Sequence, residues 1–410
     1  MTSPVVTIPT ANNSASPRRL QIVVLGYVIR GPLGGLAWHH LQYVAGLSRL
    51  GHNVLFIEDS DDYPSCVHLD RDEMDDDPSE GLAFAENAFS RLGIAGRFAY
   101  YQAASHEWLG PAADIAYSFC RNAQVVLNIS GMNPVRPWWI DVPIRVLIDT
   151  DPAFIQIRHL HSEPARALAN AHNAFFTFGE KFGDHDCSIP NDGFPWKATR
   201  QPVLLDAWPV VAPSPNQPFT TVMQWNSYEA HEHGGRTFGM KSESFEPYFS
   251  LPQRCNVPLL LGIGGSSQPP IKRLLTNGWR VRNTLDFTRD PWQYQRFIQQ
   301  SAGEFGVAKH GYVASRSGWF SERSANYLAS GRPVVLQDTG FSDILPTGRG
   351  LFAFQTPDQA SEALAQVRQD LPGHSCAARE IAREYFDANK VLSHLLIEAA
   401  LVSNQTAVLS

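Results

Sequence analysis

The feature that most limits the fold of this chain is a pair of short apolar runs separated by a segment of helical length. Residues 20–26 (LQIVVLG) and 53–57 (NVLFI) have the composition of strands covered on both faces. Between them, residues 36–50 carry apolar side chains at helical spacing, and Gly51 stands where a helix commonly ends. Strands joined in this way form a βαβ unit, so the segment predicts a parallel sheet.

The same alternation continues through the rest of the chain. The further predicted strands are residues 124–129, 144–148, 174–178, 219–225, 257–261, 279–285, 312–314, 333–336 and 351–354. A Pro-rich stretch over residues 209–218 (PVVAPSPNQP) divides this series in two and is typical of a linker. With 410 residues, the chain is long enough for two α/β domains with separate cores.

We therefore predict four consecutive parts. They are a tail over residues 1–18, a first α/β domain over 19–210, a second over 211–380, and C-terminal helices over 381–410. The tail is rich in Ser, Thr, Asn and Pro and has no signal-peptide core, so we expect it to be disordered and the protein to be cytoplasmic. No run predicts a transmembrane segment. In open parallel sheets ligands bind beyond the carboxyl ends of the strands, so two facing sheets predict a central cleft.

Charge and cysteine usage exclude several classes of protein. The formal net charge of −7 argues against a nucleic-acid partner, because such binding needs clustered Lys and Arg. The five cysteines form no CxxC pair and are odd in number, which argues against a zinc site and a disulfide framework. The glycines after the first strand do not form the GxGxxG pattern, so a NAD-linked dehydrogenase is disfavoured.

Residues 310–354 contain a helix start that is suited to an anion. Ser321 is placed as the N-cap of a helix over residues 322–330, and Gly331 follows at the usual C-terminal position. The free N–H groups and dipole of a helix N-terminus favour phosphate, and Arg316 adds positive charge nearby. This part of the sequence predicts a phosphate-binding site.

The same region resembles the GT-B glycosyltransferases, which use nucleotide-sugar donors. The run SERSANYLASGRP (residues 321–333) is similar to one in the spore-coat-type glycosyltransferase-like group, and LSRLGHNVLFIE (residues 47–58) resembles the first unit of a GT-B acceptor domain. The resemblance implies an α/β GT-B fold, with two Rossmann-like domains facing a central cleft. It makes residues 19–210 the acceptor side and residues 211–380 the donor side.

The resemblance also implies an activity and its partners. It implies transfer of a sugar, of the hexosyltransferase type, from a UDP- or TDP-type nucleotide diphosphate sugar to a small-molecule or glycan acceptor. No cofactor and no metal are expected, because helix N–H groups and cationic side chains can stabilise the departing diphosphate. The sequence leaves open the sugar, the acceptor, retention or inversion of configuration, and whether the chain forms a homodimer.

The matching positions give a set of donor-site residues. Arg316 and Ser321, with Ser317 and Gly318 between them, fall where the diphosphate is held. Ser324 falls where an acid would hold the ribose. In the branch that carries two glutamates separated by seven positions, the corresponding places are taken by Gly318 and Asn326.

Three further groups of residues are candidates on chemical grounds. Lys241 has a flexible ammonium that can reach phosphates from another loop. The amide of Asn326 can pair with ribose hydroxyls. The loop of Asp338, Thr339 and Gly340 follows a predicted central strand, where the rule for open sheets places a ligand, so it is a candidate for binding the sugar.

Candidate catalytic groups lie in the first half. His39 and His40 follow the first glycine-bearing loop, and an inverting transferase needs a base that His can provide near neutral pH. Because adjacent helical residues point about 100° apart, only one of the two is expected to face the cleft. Asp149-Thr150-Asp151 matches a GT-A metal motif, but the two-domain pattern favours GT-B. We therefore place Asp149 and Asp151 at the cleft as acceptor contacts or loop caps, with Asp151 as a candidate catalytic residue.

Two other functions remain open at this point. The same fold can serve a nucleotide-sugar epimerase or a phosphorylase. The missing acids at Gly318, Ser324 and Asn326 also leave room for a protein that binds nucleotide sugars without catalysis.

Overall fold

The computed structural model describes residues 19–62, 65–69, 73–212, 216–265 and 268–409. The predicted tail over residues 1–18 lies outside the described residues, as do residues 213–215 of the predicted linker.

The first half of the chain forms one eight-stranded sheet and its covering helices. In chain order its elements are β1 (Gln21–Leu25), α1 (Gly34–Arg49), β2 (Asn53–Asp59), β3 (Cys66–His68), β4 (Glu73–Asp75), α2 (Ser79–Arg91), β5 (Phe98–Gln102), β6 (Glu107–Leu109), α3 (Ala113–Arg121), β7 (Val125–Ile129), β8 (Ile144–Asp149), α4 (Phe154–His161), α5 (Glu163–Asn170), β9 (Ala174–Thr177) and β10 (Lys197–Ala198). The strand order is β10-β9-β8-β7-β1-β2-β5-β6, and only the β5–β6 pair is antiparallel. We call this half the first domain.

The second half forms a six-stranded sheet in which every pair of neighbours is parallel. Its elements are β11 (Phe219–Gln224), β12 (His231–His233), β13 (Arg236–Phe238), α6 (Lys241–Phe245), α7 (Leu251–Arg254), β14 (Leu259–Gly264), α8 (Ile271–Thr276), β15 (Arg280–Asn283), α9 (Leu285–Thr288), α10 (Pro291–Gln299), β16 (Gly303–Gly306), α11 (His310–Ser315), α12 (Glu322–Ala329), β17 (Val334–Gln337), β18 (Leu351–Phe354), α13 (Pro357–Gln369), α14 (Leu371–Tyr385) and α15 (Ala388–Leu409). The order is β15-β14-β11-β16-β17-β18. We call this half the second domain.

The apolar runs found in the sequence become the centres of both sheets. In β1, Ile22 and Val24 pack into the core beneath α1, while Val23 and Leu25 pack into a core on the opposite face. Burial on both faces explains why this strand is continuously apolar rather than alternating. In the second domain β17 is covered in the same way, since Val335 packs into one core while Val334 and Leu336 pack into a core on the opposite face.

The last helix returns to the first domain. Leu392, Leu395 and Ala399 of α15 belong to the same apolar core as α1, and Lys197 of β10 pairs with Glu398 at 2.6 Å. The preceding helix, α14, packs instead on α12. The C-terminal helices therefore connect the two domains. No helix within the described ranges, including the 22-residue α15, is long and apolar enough to cross a membrane.

One predicted strand is wrong. Residues 312–314 lie in α11, and the strand beside β17 is β16, Gly303–Gly306, which the sequence analysis did not find. Phe305 is the only large apolar residue of β16, so it has no strand-like apolar run. Glu304 is nevertheless fully buried there, because Arg323 neutralises it.

Candidate active site between the two sheets

A cleft of about 390 Å³ lies where the carboxyl ends of strands from both sheets come together. Ser130 and Thr150 directly follow β7 and β8, Gln224 and Gly264 end β11 and β14, and Thr284 directly follows β15. The remaining lining residues that concern us are Leu33, Gly35, Leu36, His39, Lys241, Tyr294, Glu322 and Arg323. This is the edge of open α/β sheets at which ligands bind.

The first domain presents the N-terminus of α1 to the cleft. Leu33, at the N-cap position, provides no side-chain hydrogen bond, so the first N–H groups of α1 are not capped by it. A Cβ at Gly34 would lie 2.7 Å from the carbonyl oxygen of Asp290, and one at Gly35 would lie 3.3 Å from the Tyr294 ring. Glycine thus allows the start of α1 to pack closely against α10 of the second domain.

The second domain presents the N-terminus of α12. The Ser321 hydroxyl accepts a hydrogen bond from the Arg323 N–H at 3.2 Å and so caps the helix. The Arg323 guanidinium donates to Glu304 at 2.6 Å and to the Val222 carbonyl at 2.8 Å. Burial alone would lower the pKa of Arg323, but the Glu304 carboxylate outweighs it and the pKa is raised. Arg323 is therefore a fixed cation in the cleft.

Lys241 is the second cation of the cleft. It is the first residue of α6, and no carboxylate within hydrogen-bond distance of its ammonium is found among the described residues. Burial lowers the pKa of Lys241 to about 7, and the nearby charges of Arg323 and Lys309 lower it in the same direction. An anion in the cleft would reverse this effect, because it would stabilise the charged ammonium.

The two adjacent histidines of α1 point to different surroundings. His39 lines the cleft, and neither of its ring nitrogens has a hydrogen-bond partner among the described residues. Burial lowers the pKa of His39 to about 4, so its imidazole is neutral at pH 7. The His40 ring packs against Gly26 and Phe56, and its Nδ1 lies 2.9 Å from the Leu36 carbonyl oxygen. His39 is thus the member of the pair that faces the cleft.

No protein-family model and no curated protein matches this sequence, but solved structures do. An α-glucosyltransferase in complex with UDP and a 13-mer DNA containing a HMU base superposes with a TM-score of 0.60 at 8% identity, over 93% of this chain and 100% of that chain. Sucrose-phosphate synthase from Thermosynechococcus elongatus gives 0.52 at 11% identity, over 96% and 100%. AviGT4, a glycosyltransferase involved in avilamycin A biosynthesis, gives 0.51 at 12% identity, over 94% and 98%.

The chain has the GT-B fold. The predicted α/β fold class and the resemblance on which it rested are confirmed at the level of the fold. At 8–12% sequence identity these comparisons show the fold only. The roles of individual residues are therefore argued from the geometry of this chain.

In this GT-B structure Asp151 joins the two domains and is not among the cleft-lining residues. Its carboxylate accepts a hydrogen bond from the Lys309 ammonium at 2.9 Å and further ones from the hydroxyls of Tyr228 and Tyr312. Burial would raise the pKa of Asp151, but these donors lower it. The carboxylate is ionised and occupied by three donors, so the geometry does not favour the predicted catalytic role.

Asp149 is also engaged within the protein. Its carboxylate accepts hydrogen bonds from Gln156 at 2.9 Å and Thr177 at 2.7 Å, and burial raises its pKa to about 6. Asp149 and Asp151 therefore have separate sets of partners, unlike the shared metal site of the GT-A alternative.

Arg316 lies in a contact between the GT-B domains that we call the interdomain ion cluster, formed by Lys181, Asp186, Arg316 and Asp343. Arg316 donates to Asp186 at 2.9 Å and to Asp343 at 2.8 Å. Lys181 pairs with Asp186 at 2.8 Å and also with Asp343. Arg316 is not among the described residues that line the cleft, because the two acids hold it elsewhere.

The neighbours of Arg316 also serve the domain contact. The Ser317 carbonyl accepts a hydrogen bond from the Lys181 N–H at 3.1 Å. Gly318 has a φ of 74°, and a Cβ there would lie 2.9 Å from the Lys181 backbone nitrogen. The predicted diphosphate ligands Ser317 and Gly318 therefore form a close backbone contact in which a side chain would not fit.

The predicted ribose and sugar ligands are buried, either inside the second domain or at its contact with the first. Ser324 and Asn326 are buried, and the Asn326 amide oxygen accepts a hydrogen bond from Gln42 of α1 at 3.2 Å. Asp338 accepts one from the Gly340 N–H at 2.9 Å, and the Thr339 hydroxyl donates to the Trp319 carbonyl at 2.6 Å. None of these predicted ligands is among the cleft-lining residues that the structure describes.

The sequence analysis missed several residues of the cleft. Ser130 and Thr150 share a hydrogen bond of 2.6 Å between their hydroxyls, and Ser130 has a φ of 60°, an uncommon value for a residue other than glycine. Ser130 directly follows the predicted strand 124–129, and Thr150 lies two positions after the predicted strand 144–148, so the carboxyl-end rule applied to each strand would have found them. Glu322 had no such signal, because an acid in the first turn of a helix is ordinary.

Proposed function

We propose that this chain is a glycosyltransferase that transfers a sugar from a nucleotide diphosphate sugar to a small-molecule or glycan acceptor. One observation carries the proposal. The N-termini of α1 and α12, from opposite domains, reach the same cleft together with Lys241, Arg323 and the unpartnered His39. This combination suits a reaction in which an anionic diphosphate leaves and a hydroxyl group attacks.

The cationic side of the cleft supports metal-independent departure of the diphosphate. Negative charge develops on the phosphate as the glycosyl bond breaks, and preorganised donors stabilise it without reorganisation during the reaction. Arg323 is held in place by Glu304, while Lys241 has no competing carboxylate in hydrogen-bond contact within the described structure. Activity that persists in excess EDTA would agree with this proposal, and activity restored only by a divalent metal would contradict it.

His39 is the proposed base toward the acceptor. Its imidazole is neutral at pH 7, so it can accept a proton from an acceptor hydroxyl. A bound diphosphate would raise the pKa of His39 by placing negative charge nearby, which makes the imidazole a better base in the loaded site. This role corresponds to an inverting transfer, whose product has the opposite anomeric configuration to the donor.

The similar structures support a uridine-type donor. The α-glucosyltransferase is described in complex with UDP. That protein is also described with DNA, whereas the net charge of −7 of the present chain favours a small-molecule or glycan acceptor over nucleic acid. Cytoplasmic location and the absence of a nucleic-acid partner stay predictions.

A thermal-shift screen of the full chain tests the donor site. A ligand that binds only the folded state stabilises it by about 2.7 kcal/mol at 100 times its Kd. We expect UDP and UDP-sugars to raise the melting temperature by several degrees, with adenosine as a nucleoside control that has no diphosphate. If no nucleoside diphosphate or nucleotide sugar shifts the transition, the proposal fails.

A second function is a protein that binds nucleotide sugars without catalysis. It is favoured by Gly318 and Asn326, which stand where the resemblance places two glutamates and which lie in domain contacts. Donor binding with neither transfer to an acceptor nor release of free sugar would support this alternative. Release of free sugar, an epimerised donor or a sugar phosphate would instead indicate hydrolytic, epimerase or phosphorylase chemistry.

A further inference from the structure

A pair of histidines outside the cleft is not explained by the proposed function. His161 is the last residue of α4 in the first domain, and His233 is the last residue of β12 in the second domain. Neither is among the described residues that line the cleft. Their side chains nevertheless meet, although the two residues are 72 positions apart in the sequence.

Packing of β12 on α4 brings the two histidines together. β12 and β13 form a separate antiparallel hairpin, and β12 contacts α4. His231 packs on Phe154 at the start of the helix, with ring centroids 5.9 Å apart. Two residues further along the strand, His233 reaches His161 at the end of the helix, with ring centroids 5.5 Å apart. The positions of both rings are therefore set by two secondary-structure elements that pack against each other.

The distance between the two ring nitrogens is that of two ligands on one metal ion. Nε2 of His161 lies 3.3 Å from Nδ1 of His233. Zinc binds imidazole nitrogen at about 2.0–2.1 Å in tetrahedral geometry, which separates two ligand nitrogens by about 3.3–3.4 Å. Without a metal, the same distance suits a hydrogen bond in which one ring donates. The rings can turn toward a shared ion about χ2, which is a soft torsion in histidine.

The chemistry of the two ligands selects a class of ions. Neutral imidazole suits zinc, copper and nickel, whereas magnesium and calcium prefer oxygen ligands. Within the described ranges no group of three or more His, Cys, Asp or Glu side chains is placed to hold a metal. The site therefore offers two protein ligands and leaves the other positions of a tetrahedral ion to water.

We propose that His161 and His233 bind one divalent transition-metal ion of the zinc type and so link the two domains outside the cleft. The inference goes beyond the proposed function, because it does not involve the nucleotide sugar. The hairpin that carries His233 leads directly to Lys241, the first residue of α6. A metal ion at this place holds the segment just before a cation of the cleft against the first domain. Because the site exists only when both domains are folded and in contact, the metal stabilises that state.

Calorimetric titration of the full chain with zinc chloride, without nucleotide, tests the inference. We expect one zinc equivalent of the wild type to bind at least about tenfold more weakly in His161→Gln and in His233→Gln. Loss of a partner that only orients a metal ligand already weakens metal affinity by about 10- to 100-fold, so loss of a ligand costs at least as much. Zinc should also raise the melting temperature of the wild type more than that of either variant. Magnesium should not occupy this site, because it prefers oxygen ligands.

His185→Gln is the matched control, because His185 is also an exposed histidine of the first domain. This variant should bind as many zinc ions as the wild type, with the same affinities. Equal zinc binding by the wild type, His161→Gln and His233→Gln would overturn the site. A wild type that binds no zinc would overturn it as well, and that result is decisive even if a variant does not fold. Neither result bears on the nucleotide site, which is tested separately with UDP.

Discussion

Two groups of basic residues lie at the boundary between the domains, and their partners differ. In the interdomain ion cluster, Arg316 and Lys181 each contact both Asp186 and Asp343. In the cleft, Lys241 feels the charges of two cations, Arg323 and Lys309, and more weakly those of two carboxylates, Glu322 and Glu304, but it makes no hydrogen bond to a carboxylate within the described structure. Positive charge alone therefore does not mark an anion site. The useful distinction is whether a cation lines the cleft and how many carboxylates already hold it. Arg316 has two carboxylate partners and lies outside the cleft, whereas Arg323 has one, Glu304, and lines it.

The largest expected effect is a loss of transfer rate, and it distinguishes His39, which lines the cleft, from His40, which packs in the core. His39→Gln should lower the rate of transfer by about 10²- to 10⁴-fold, the usual contribution of a general base. UDP affinity should stay within about twofold of wild type, since a base toward the acceptor does not hold the nucleotide. Turnover with a donor and acceptor pair, and calorimetry with UDP, measure the two effects.

His40→Gln is the control for that variant. His40 packs in the core against Phe56, so its replacement should lower the melting temperature while each folded molecule keeps its turnover. Normal turnover in His39→Gln would remove His39 from the mechanism and would favour a reaction without a histidine base.

The next largest effect is on UDP binding, and it compares Lys241 of the cleft with Arg316 of the interdomain ion cluster. Lys241→Met should weaken UDP binding by about 10- to 100-fold, because hydrogen bonds to charged groups contribute about 1.5–3 kcal/mol. Arg316→Met should leave UDP affinity within about twofold of the wild-type value, since the Arg316 guanidinium is already paired with Asp186 and Asp343. Equal losses in the two variants would show that the ion cluster is part of the donor site.

The pH dependence of binding sharpens the role of Lys241. A lysine is charged below its pKa, and burial with neighbouring cations lowers the pKa of Lys241 to about 7. Above pH 7 Lys241 is mostly neutral in the free protein, so binding of a diphosphate to the charged ammonium has to take up a proton. UDP affinity should therefore fall by up to about tenfold per pH unit between pH 7 and 9.

Phosphate ionisation does not obscure this measurement, because the second pKa of a phosphate lies near 6. Lys241→Arg should bind UDP with a flat profile over the same range, since arginine keeps its charge. A wild-type profile that is equally flat would exclude protonation of Lys241 as part of binding.

The smallest effect concerns stability. Arg316→Met should lower the melting temperature only slightly, and the difference should shrink in high salt, because Arg316 and Asp343 are partly exposed and screened by solvent. Thermal unfolding at low and high ionic strength measures this. A large loss of stability that salt does not change would mean that packing, rather than charge, holds the two domains together at this contact.

The strands that the sequence predicted correctly share one physical property. β1 and β17 are buried on both faces, so they appear as continuous apolar runs that need no knowledge of their neighbours. β16 was missed because its sequence, GEFG, has no apolar run, and its place between β11 and β17 comes from pairing with strands that are distant in the chain. Residues 312–314 have strand-like composition, yet Tyr312 lies in a helix and stacks on Trp319 with ring centroids 4.3 Å apart.

The cleft could be predicted only in part for a related reason. The start of α12 and its Ser321 cap follow local rules and were predicted correctly. Which side chains face the cleft depends on contacts between distant parts of the chain. The partners of Arg316, for example, are 130 and 27 residues away.

The sequence by itself determined the architecture of this protein, because apolar periodicity is a local property that fixes strands, helices and hence two parallel α/β sheets. The tertiary structure decided which polar groups form the cleft. It turned His39 rather than His40 toward the cleft, gave Arg316 two carboxylate partners, and left Lys241 and Glu322 with unused capacity for a ligand. The physical reason is that the state of a charged group depends on the charges and hydrogen-bond partners around it, and folding brings those together from distant positions.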